Sequence, residues 1–403
     1  MASQTFAALR HRNYRLWFRG QMVSLFGTWM QLTAQGFLIF QLTHSPAYLG
    51  YVSFANGVPS WLLTLYGGVV ADRIPRRTLL LVTQTFMMLL AFALAVLTFL
   101  GAVRPWHIIG LSFLLGVANA FDAPARQAFV RELVELPDLT NAIALNAIMF
   151  NSAVAVGPAV AGLAYAGLGP AWCFALNGIS FLAVIWALSL MRIARTDSPA
   201  VRAPAMAGLK EGILYAAHQP MIRTLIGIVA ATSLFGISVN TLTPAWAVSV
   251  LHGDARTNGW LLSARGVGGL AGGFSIAMLD RFNVRGTLLT AGSVALPVLL
   301  LLFAGTRSLP ASLAVYLASG AAFILVQNLA NALLQTTVPD HLRGRVMGVF
   351  MMTFFGSIPL GSLIIGLLAH ALGAPLAIAL NAACLLGVAG FVYTRIPALR
   401  AAR

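Results

Sequence analysis

One acidic residue of this sequence lies inside a long apolar run. Asp122 follows Asn119 by three residues and precedes Arg126 by four, so all three share one face of a helix. A carboxylate in such a run is costly, and acids of this kind usually have a function. Two interpretations are open for Asp122. It carries a proton, or it forms a structural ion pair with Arg126 near one end of the helix.

A later apolar run repeats this polar row without its charges. Asn328, Asn331 and Gln335 have the same spacing, 209 residues further along the chain. Gln31 and Gln35 form another amide pair on one helix face. Neutral amides suit hydrogen bonding to an organic ligand, and they also join one membrane helix to another. Both roles remain open for these side chains.

A single arginine lies deep inside another apolar run. Arg265 is about ten residues, or about 15 Å, along that helix, and no acid lies within one helical turn. Its planar guanidinium suits an anionic or oxygen-rich ligand. The alternative is that Arg265 donates hydrogen bonds to backbone carbonyls freed near Gly266, Gly268 and Gly269.

The composition predicts an integral membrane protein. The 403 residues are 59% hydrophobic and 9% charged, with a mean hydropathy of +0.86. The formal charge of +15 does not predict a nucleic-acid partner, because the basic residues lie between apolar runs. Cys173 and Cys384 lie within apolar runs and give neither a disulfide framework nor metal-ligand spacing. We therefore expect no cofactor and no metal.

Apolar runs separated by glycine, proline or charge predict twelve membrane-spanning helices. The predicted spans are 14–41, 46–71, 78–101, 105–134, 139–167, 170–192, 220–251, 256–278, 286–306, 309–338, 345–370 and 373–394. The polar linker 193–219 contains a short segment, Leu209–Tyr215, that could form an amphipathic surface helix. The predicted domains are therefore two six-helix bundles, at 1–192 and 220–403, joined by this cytoplasmic linker.

The basic residues predict the orientation in the membrane. Of the 25 lysines and arginines, 21 fall on the side of the N-terminus, three on the opposite side and Arg265 within a span. Basic residues accumulate in cytoplasmic loops. We expect both termini to be cytoplasmic.

The two halves of the sequence repeat each other. Leu168-Gly169 recurs as Leu372-Gly373, and Asp72-Arg73 recurs as Asp280-Arg281 in the corresponding loop. With six spans in each half, the two copies have the same orientation, which is a parallel pseudo-repeat about an axis along the membrane normal.

A charged loop, Gly68-(x)3-Asp72-Arg73-(x)2-Arg76-Arg77, follows the second span, and Gly67 and Gly68 allow close helix approach. This loop resembles the signature loop of the major facilitator superfamily, and the resemblance extends over nearly the whole chain. Gly157-Pro158 with Gly162 is similar to the Gly-Pro motif of drug exporters, although Ala153 and Ala161 replace two of its glycines. The charged loop and two further segments are similar to the branch that contains enterobactin exporters and macrolide efflux proteins. The two segments are Phe6-Ala7-Ala8-Leu9-Arg10 with Asn13-Tyr14, and Pro339-Asp340-His341-Leu342-Arg343-Gly344-Arg345-Val346.

This resemblance implies an all-α integral membrane fold of twelve helices in two six-helix parallel pseudo-repeats. It implies alternating access around a cavity lined mainly by the first, fourth, seventh and tenth helices, driven by an ion gradient, usually of protons. The expected protein is a monomeric exporter of a hydrophobic or amphipathic organic molecule, such as a siderophore-like compound or a drug. It would work as a proton antiporter in the bacterial cytoplasmic (inner) membrane. Import of a small organic solute and lipid transport remain alternatives.

A membrane enzyme and a receptor are the alternatives of a different class. The sequence has no nucleophile motif, no histidine cluster and no large soluble output domain. We therefore expect a protein that is not an enzyme.

The resemblance also suggests roles for individual residues. A cytoplasmic gate is predicted at the loop after the second span, at its copy Asp280-Arg281, and at Asp122 with Arg126. The alternative is that the charges of the loop only set the topology. Substrate binding is predicted for Arg265 and for amides on the expected cavity helices, and proton coupling for Asp122. The predicted gate residues are Asp72, Arg73, Arg76, Arg77, Asp122, Arg126, Asp280 and Arg281, and the predicted substrate-binding residues are Arg265, Gln31, Gln35, Asn240, Gln327, Asn328 and Asn331.

Overall fold

The computed structural model describes residues 6–192, 205–279 and 285–395, and these residues form helices and no strand. The first half contains α1 Arg12–Thr43, α2 Pro46–Arg73, α3 Arg76–Phe99, α4 Pro105–Phe129, α5 Leu139–Leu168 and α6 Pro170–Leu190. The second half contains α7 Pro220–Ser249, α8 Ala255–Leu279, α9 Arg285–Gly305, α10 Leu309–Thr337, α11 Asp340–Leu372 and α12 Ala374–Arg395. The predicted all-α class is confirmed.

Nine helices in the described part of the chain are long and apolar enough to cross a membrane: α3–α7 and α9–α12. The other three, α1, α2 and α8, have 32, 28 and 25 residues. At 1.5 Å per residue each exceeds the roughly 30 Å of a bilayer core. Predicted span limits agree with helix ends to within a few residues at most positions. Two limits differ by five residues: α4 ends at Phe129 rather than at 134, and α11 begins at Asp340 rather than at 345.

Two equivalent helices end at equivalent glycines. Gly169 after α5 has φ of +87°, and Gly373 after α11 has φ of +83°. Glycine adopts this conformation without the steric cost of a Cβ, and it therefore ends helices well. The sequence repeat Leu168-Gly169 and Leu372-Gly373 thus marks one helix-ending turn that occurs in both halves.

The helices form two compact units: Met1–Thr43 with Ala55–Val201, and His44–Phe54 with Arg202–Arg403. In the first unit, α1 packs on α5 and α6, and α3 packs on α4 and α6. Small residues permit close packing. Gly27 lies against Asn177 and Ser180 of α6, and a Cβ on Gly67 would overlap the backbone of Ala120 in α4. Gly68 has no atom within 4 Å of its Cβ position, so only Gly67 provides the predicted close approach.

In the second unit, α8 packs closely on α10. Added Cβ atoms on Gly268 and Gly320 would overlap backbone atoms of Leu317 and Arg265 respectively. The start of α2 also belongs to this unit, where Gly50 lies against the backbone of α11. A further helix, Ala205–His218, lies within the predicted linker. Its Glu211 forms an ion pair with Arg345 of α11.

α7 is not a continuous α-helix. Its α-helical segment Pro220–Ala231 is followed by a π-helical turn, Thr232–Gly236, and a 3-10 segment, Ile237–Leu242, before Thr243–Ser249 resumes the α-helix. Such interruptions change the backbone hydrogen bonding locally and are common at functional sites. The carbonyl of Gly236, at the end of the π-helical turn, contacts a charged side chain described below.

Candidate functional site

Asp122 is a buried carboxylate that contacts the neighbouring helix α3. Its side chain is 2% exposed, and its Oδ1 accepts hydrogen bonds from Thr83 Oγ1 at 2.9 Å and Gln84 Nε2 at 2.8 Å. Arg126 Nε lies 3.7 Å from its Oδ2. The predicted pair with Arg126 is present, but two neutral donors from α3 complete the site.

The hydrogen bonds on Asp122 make its charge tolerable inside the unit. Hydrogen bonds to a charged group contribute about 1.5–3 kcal/mol each, whereas Arg126 is about one-third exposed and its attraction is partly screened. The other amide atom of Gln84, Oε1, is buried without a hydrogen-bond partner among the described residues. Turning this amide over would present an acceptor to Asp122 in place of a donor.

A second charged cluster lies at the loop after α2, which the sequence predicts to be a gate. Arg76 forms a close ion pair with Glu132, which follows α4, and its Nη2 lies 3.8 Å from Asp72 Oδ1. The Arg76 and Glu132 side chains are 24% and 25% exposed, so water screens this pair only partly. Arg76 therefore links two acids that are distant in sequence.

Sequence reasoning missed Glu132. A usable signal was present, because a short turn joins α3 to α4 and makes them an antiparallel hairpin. Arg76 and Glu132 lie at similar distances along the chain on either side of that turn, as do Gln84 and Asp122. Residues related in this way lie at the same depth and can face each other.

The other predicted gate residues have separate positions. Arg77 Nη2 donates to the Ser189 carbonyl of α6 at 2.9 Å, and Arg73 is exposed. The predicted second copy of the gate, Asp280 and Arg281, lies outside the described residues.

The predicted amides of α1 join helices within the first unit. Asn177 Nδ2 in α6 donates to Gln31 Oε1 at 2.7 Å, and Gln35 Nε2 donates to Ser112 Oγ in α4 at 2.6 Å. Both glutamines are buried. These contacts are the ones expected from the alternative in which the glutamines join one helix to another.

The amides of α10 are more available. Asn328 is exposed, Asn331 accepts a hydrogen bond from Gln335 one turn later, and Gln327 Oε1 is buried without a partner among the described residues. Asn240 of α7 accepts a hydrogen bond from the Tyr316 hydroxyl at 2.5 Å. Tyr316 is fully buried, and it connects Asn240 to the site of Arg265.

Arg265 is 6% exposed and lies between two aromatic rings of α10. Its guanidinium carbon is 5.1 Å from the ring centre of Tyr316 and 5.6 Å from that of Phe323. Nη2 donates one long hydrogen bond, 3.5 Å, to the Gly236 carbonyl at the break in α7. Nη1 is buried with no hydrogen-bond partner among the described residues. The predicted carbonyl partner therefore exists, but it belongs to α7 rather than to the glycines that follow Arg265.

The surroundings of Arg265 do not balance its charge. Among the helices α7–α12 the sequence places a single acid, Asp340 at the first position of α11, and this acid pairs with Arg343. Two cation–π contacts contribute about 0.5–2 kcal/mol each, while the loss of hydration costs several kcal/mol for a buried ion. Arg265 is thus a buried cation with incomplete compensation inside its own unit.

Comparison with known proteins gives these sites a context. The family model of transmembrane secretion effectors, within the major facilitator superfamily, matches residues 3–402. The chain belongs to this family. It is 29% identical to the multidrug efflux pump Tap of Mycolicibacterium fortuitum, over 86% of this chain and 87% of the relative.

Two further relatives fit the branch that the sequence motifs indicate. The chain is 24% identical to the staphyloferrin A transporter of Staphylococcus aureus, over 89% of this chain and 90% of that one. It is also 24% identical to the enterobactin exporter EntS of Salmonella typhi, over 84% and 81%. The predicted resemblance is therefore confirmed, and the relatives are transporters that include efflux pumps and exporters.

Solved structures confirm the fold. A crystal structure of a point mutant of the nucleoside transporter NupG matches with a TM-score of 0.76 at 16% identity, covering 96% of this chain and all of that one. A bacterial homologue of the human lysosomal transporter Spinster matches with a TM-score of 0.72 at 14% identity, covering 97% of each chain. The protein is a multi-pass membrane transporter of the major facilitator fold.

Proposed function

We propose that this protein exports a hydrophobic or amphipathic organic molecule by alternating access, coupled to proton entry. Similarity to a multidrug efflux pump and to an enterobactin exporter supports the direction of transport and the substrate class. The bias of basic residues supports cytoplasmic termini and insertion in a bacterial cytoplasmic membrane. A single chain with two six-helix bundles is the working unit of this proposal.

Proton coupling rests on one observation, the buried carboxylate of Asp122 with neutral donors from α3. The ionised carboxylate accepts hydrogen bonds from Thr83 and Gln84. The protonated carboxylic acid donates one instead, and the unpartnered Oε1 of Gln84 is an acceptor close by. A reorientation of one amide thus allows the site to hold either protonation state. The ionised and the protonated forms of Asp122 differ in their hydrogen bonds and so in free energy. A proton-driven transporter needs such a difference to shift its conformational equilibrium.

The gate of this proposal is the cluster of Asp72, Arg76 and Glu132, with Arg77 bound to the end of α6. The cluster joins the loop after α2 to the segment after α4. A change in position of either segment must separate Arg76 from one of its two acids. Such a pair gives discrete bound and unbound arrangements, as a gate requires.

An uptake assay in proteoliposomes with an imposed pH gradient tests the proposal. The probe is a neutral amphiphile, the primary amide of dansyl-aminoundecanoic acid, together with a panel of drugs and siderophores. We expect accumulation that depends on the gradient. In Asp122→Asn, gradient-driven accumulation should fall to the level of protein-free liposomes, while exchange of labelled for unlabelled probe without a gradient continues.

Asp254→Asn is the matched control for Asp122→Asn. Asp254 is more than half exposed in the loop before α8, and an asparagine there can still accept the hydrogen bonds from the amides of Arg256 and Thr257. Full gradient-driven transport by Asp122→Asn would contradict the proton role. It would favour the alternative, in which Asp122 only forms a structural ion pair with Arg126. No gradient-driven movement of any amphipathic compound by the unmodified protein would contradict proton-coupled export itself. Accumulation only with the opposite gradient would indicate import.

A further inference from the structure

We propose that Arg265 is the binding site for an oxyanion, and specifically for a carboxylate on the transported molecule. The inference rests on the proposed export function, because it assigns part of the substrate to one side chain. Arg265 lies between the aromatic rings of Tyr316 and Phe323, with Nη1 buried and unpartnered among the described residues.

Support for this proposal comes mainly from the absence of any negatively charged side chain on the helices around Arg265. The helices that contact Arg265, α7, α8 and α10, contain no aspartate or glutamate at all. The long hydrogen bond to Gly236 O supplies only a dipole. A buried cation of this kind is stabilised when a ligand brings the anion, so the site discriminates in favour of anionic molecules.

The geometry favours a planar, two-oxygen anion over a spherical one. Guanidinium presents its N–H donors in a flat fork that matches a carboxylate through two parallel hydrogen bonds. Nη1 is buried and without a hydrogen-bond partner among the described residues, so this end of the fork is left for a ligand oxygen. Nη2 has only the long contact with Gly236, which a stronger acceptor can replace.

The walls of the site favour an apolar group beside the carboxylate. The side chains nearest to the guanidinium, Phe323 and the fully buried Tyr316, are aromatic, and Phe303 stacks on Tyr316 with ring centres 4.6 Å apart. Tyr316 is held by its hydrogen bond to Asn240, at the break in α7. The predicted ligand class is therefore an amphipathic carboxylic acid rather than an inorganic anion.

A pair of fluorescent probes tests this assignment. Dansyl-aminoundecanoic acid and its primary amide differ only in whether the terminal group is charged, and their binding to purified protein in detergent is measured by fluorescence titration. We expect the unmodified protein to bind the carboxylate about tenfold or more tightly than the amide, as for a hydrogen bond to a charged group. In Arg265→Gln this preference should disappear, with the affinity for the amide unchanged.

Arg265→Lys keeps the charge but loses the fork, and it should retain a preference for the carboxylate with weaker binding. Arg256→Gln is the control, because Arg256 lies on the same helix but is half exposed at its beginning. Equal binding of both probes by the unmodified protein, or an undiminished preference in Arg265→Gln, would overturn the assignment. Because these titrations need no transport, they separate this proposal from a failure of export itself.

Thermal unfolding provides a second measurement that does not depend on probe affinity in the variant. If Arg265 is a ligand site without a counter-ion, its buried charge destabilises the ligand-free protein. We then expect Arg265→Gln to melt at a higher temperature than the unmodified protein when no ligand is present. The carboxylate probe should raise the melting temperature of the unmodified protein more than the amide probe does. If Arg265 only joins α8 to Gly236 and Tyr316, Arg265→Gln should melt at a lower temperature than the unmodified protein. A lower melting temperature would therefore count against the proposal.

Discussion

Asp122 and Arg265 are both buried charges, and they differ in their surroundings. Asp122 has two neutral hydrogen-bond donors and a nearby arginine, so its charge is stabilised within the first unit. Arg265 has rings, one long hydrogen bond and no acid on the helices around it. Beside Asp122, the amide of Gln84 can present either a donor or an acceptor, while a buried cation with no acid around it attracts an anion. The first arrangement suits coupling and the second suits binding.

The Arg76 cluster gives a prediction at the same scale. Because Arg76 lies between Asp72 and Glu132, Arg76→Gln leaves two acids without their shared cation, whereas Glu132→Gln leaves Arg76 with Asp72. We expect Arg76→Gln to destabilise the protein by about 2 kcal/mol and Glu132→Gln by less. The double variant should be less destabilised than the sum of the two single ones.

Thermal unfolding of the purified variants measures this coupling. Arg15→Gln is the control, because it removes a basic residue that is exposed on α1. Strictly additive effects of Arg76→Gln and Glu132→Gln would contradict a shared ion pair. Transport by the single variants then reports whether the same contact affects the gate.

At the scale of helices, two adjacent glycines of α2 provide a matched test. A Cβ on Gly67 would overlap the carbonyl of Ala120, while the Cβ position of Gly68 is free of atoms for 4 Å. We expect Gly67→Ala to separate α2 from α4 and to destabilise the protein by about 1–3 kcal/mol, as overpacking does. Gly68→Ala should be neutral or slightly stabilising, because alanine is the better helix former. Equal melting temperatures for the two variants would contradict this close approach.

The sequence predicted the positions of the helices better than it predicted which side chains make contact between them. Apolar runs of membrane length located all twelve long helices, because length and hydropathy are local properties. The break at Thr232–Leu242 was not predicted, since α7 reads as one apolar run and the π-helical turn depends on packing. Tyr316 and Phe323 were missed as partners of Arg265 for a similar reason. Only the pairing of α8 with α10 places these residues together.

At the scale of the whole molecule, the repeat is symmetric in its turns but not in its charges. Gly169 and Gly373 end equivalent helices with nearly the same backbone angle. In contrast, the row of Asn119, Asp122 and Arg126 in α4 has only neutral counterparts in α10. The buried acid belongs to the first half and the unpaired arginine to the second. The proposed proton coupling and the proposed anion binding therefore belong to different halves of a duplicated framework.

The distribution of basic residues predicts which loops face the outside. The native cysteines are first replaced by alanine, and single cysteines are then introduced at Arg104, Arg256 or Arg307 for one side and at Arg131 or Lys210 for the other. All five native side chains are exposed. A maleimide that does not cross membranes should label the first three in intact cells and the last two only after the membrane is opened. Labelling of Arg131→Cys in intact cells would reverse the proposed orientation, and it would place the Arg76 cluster on the outer side, where it could not close the cytoplasmic entrance.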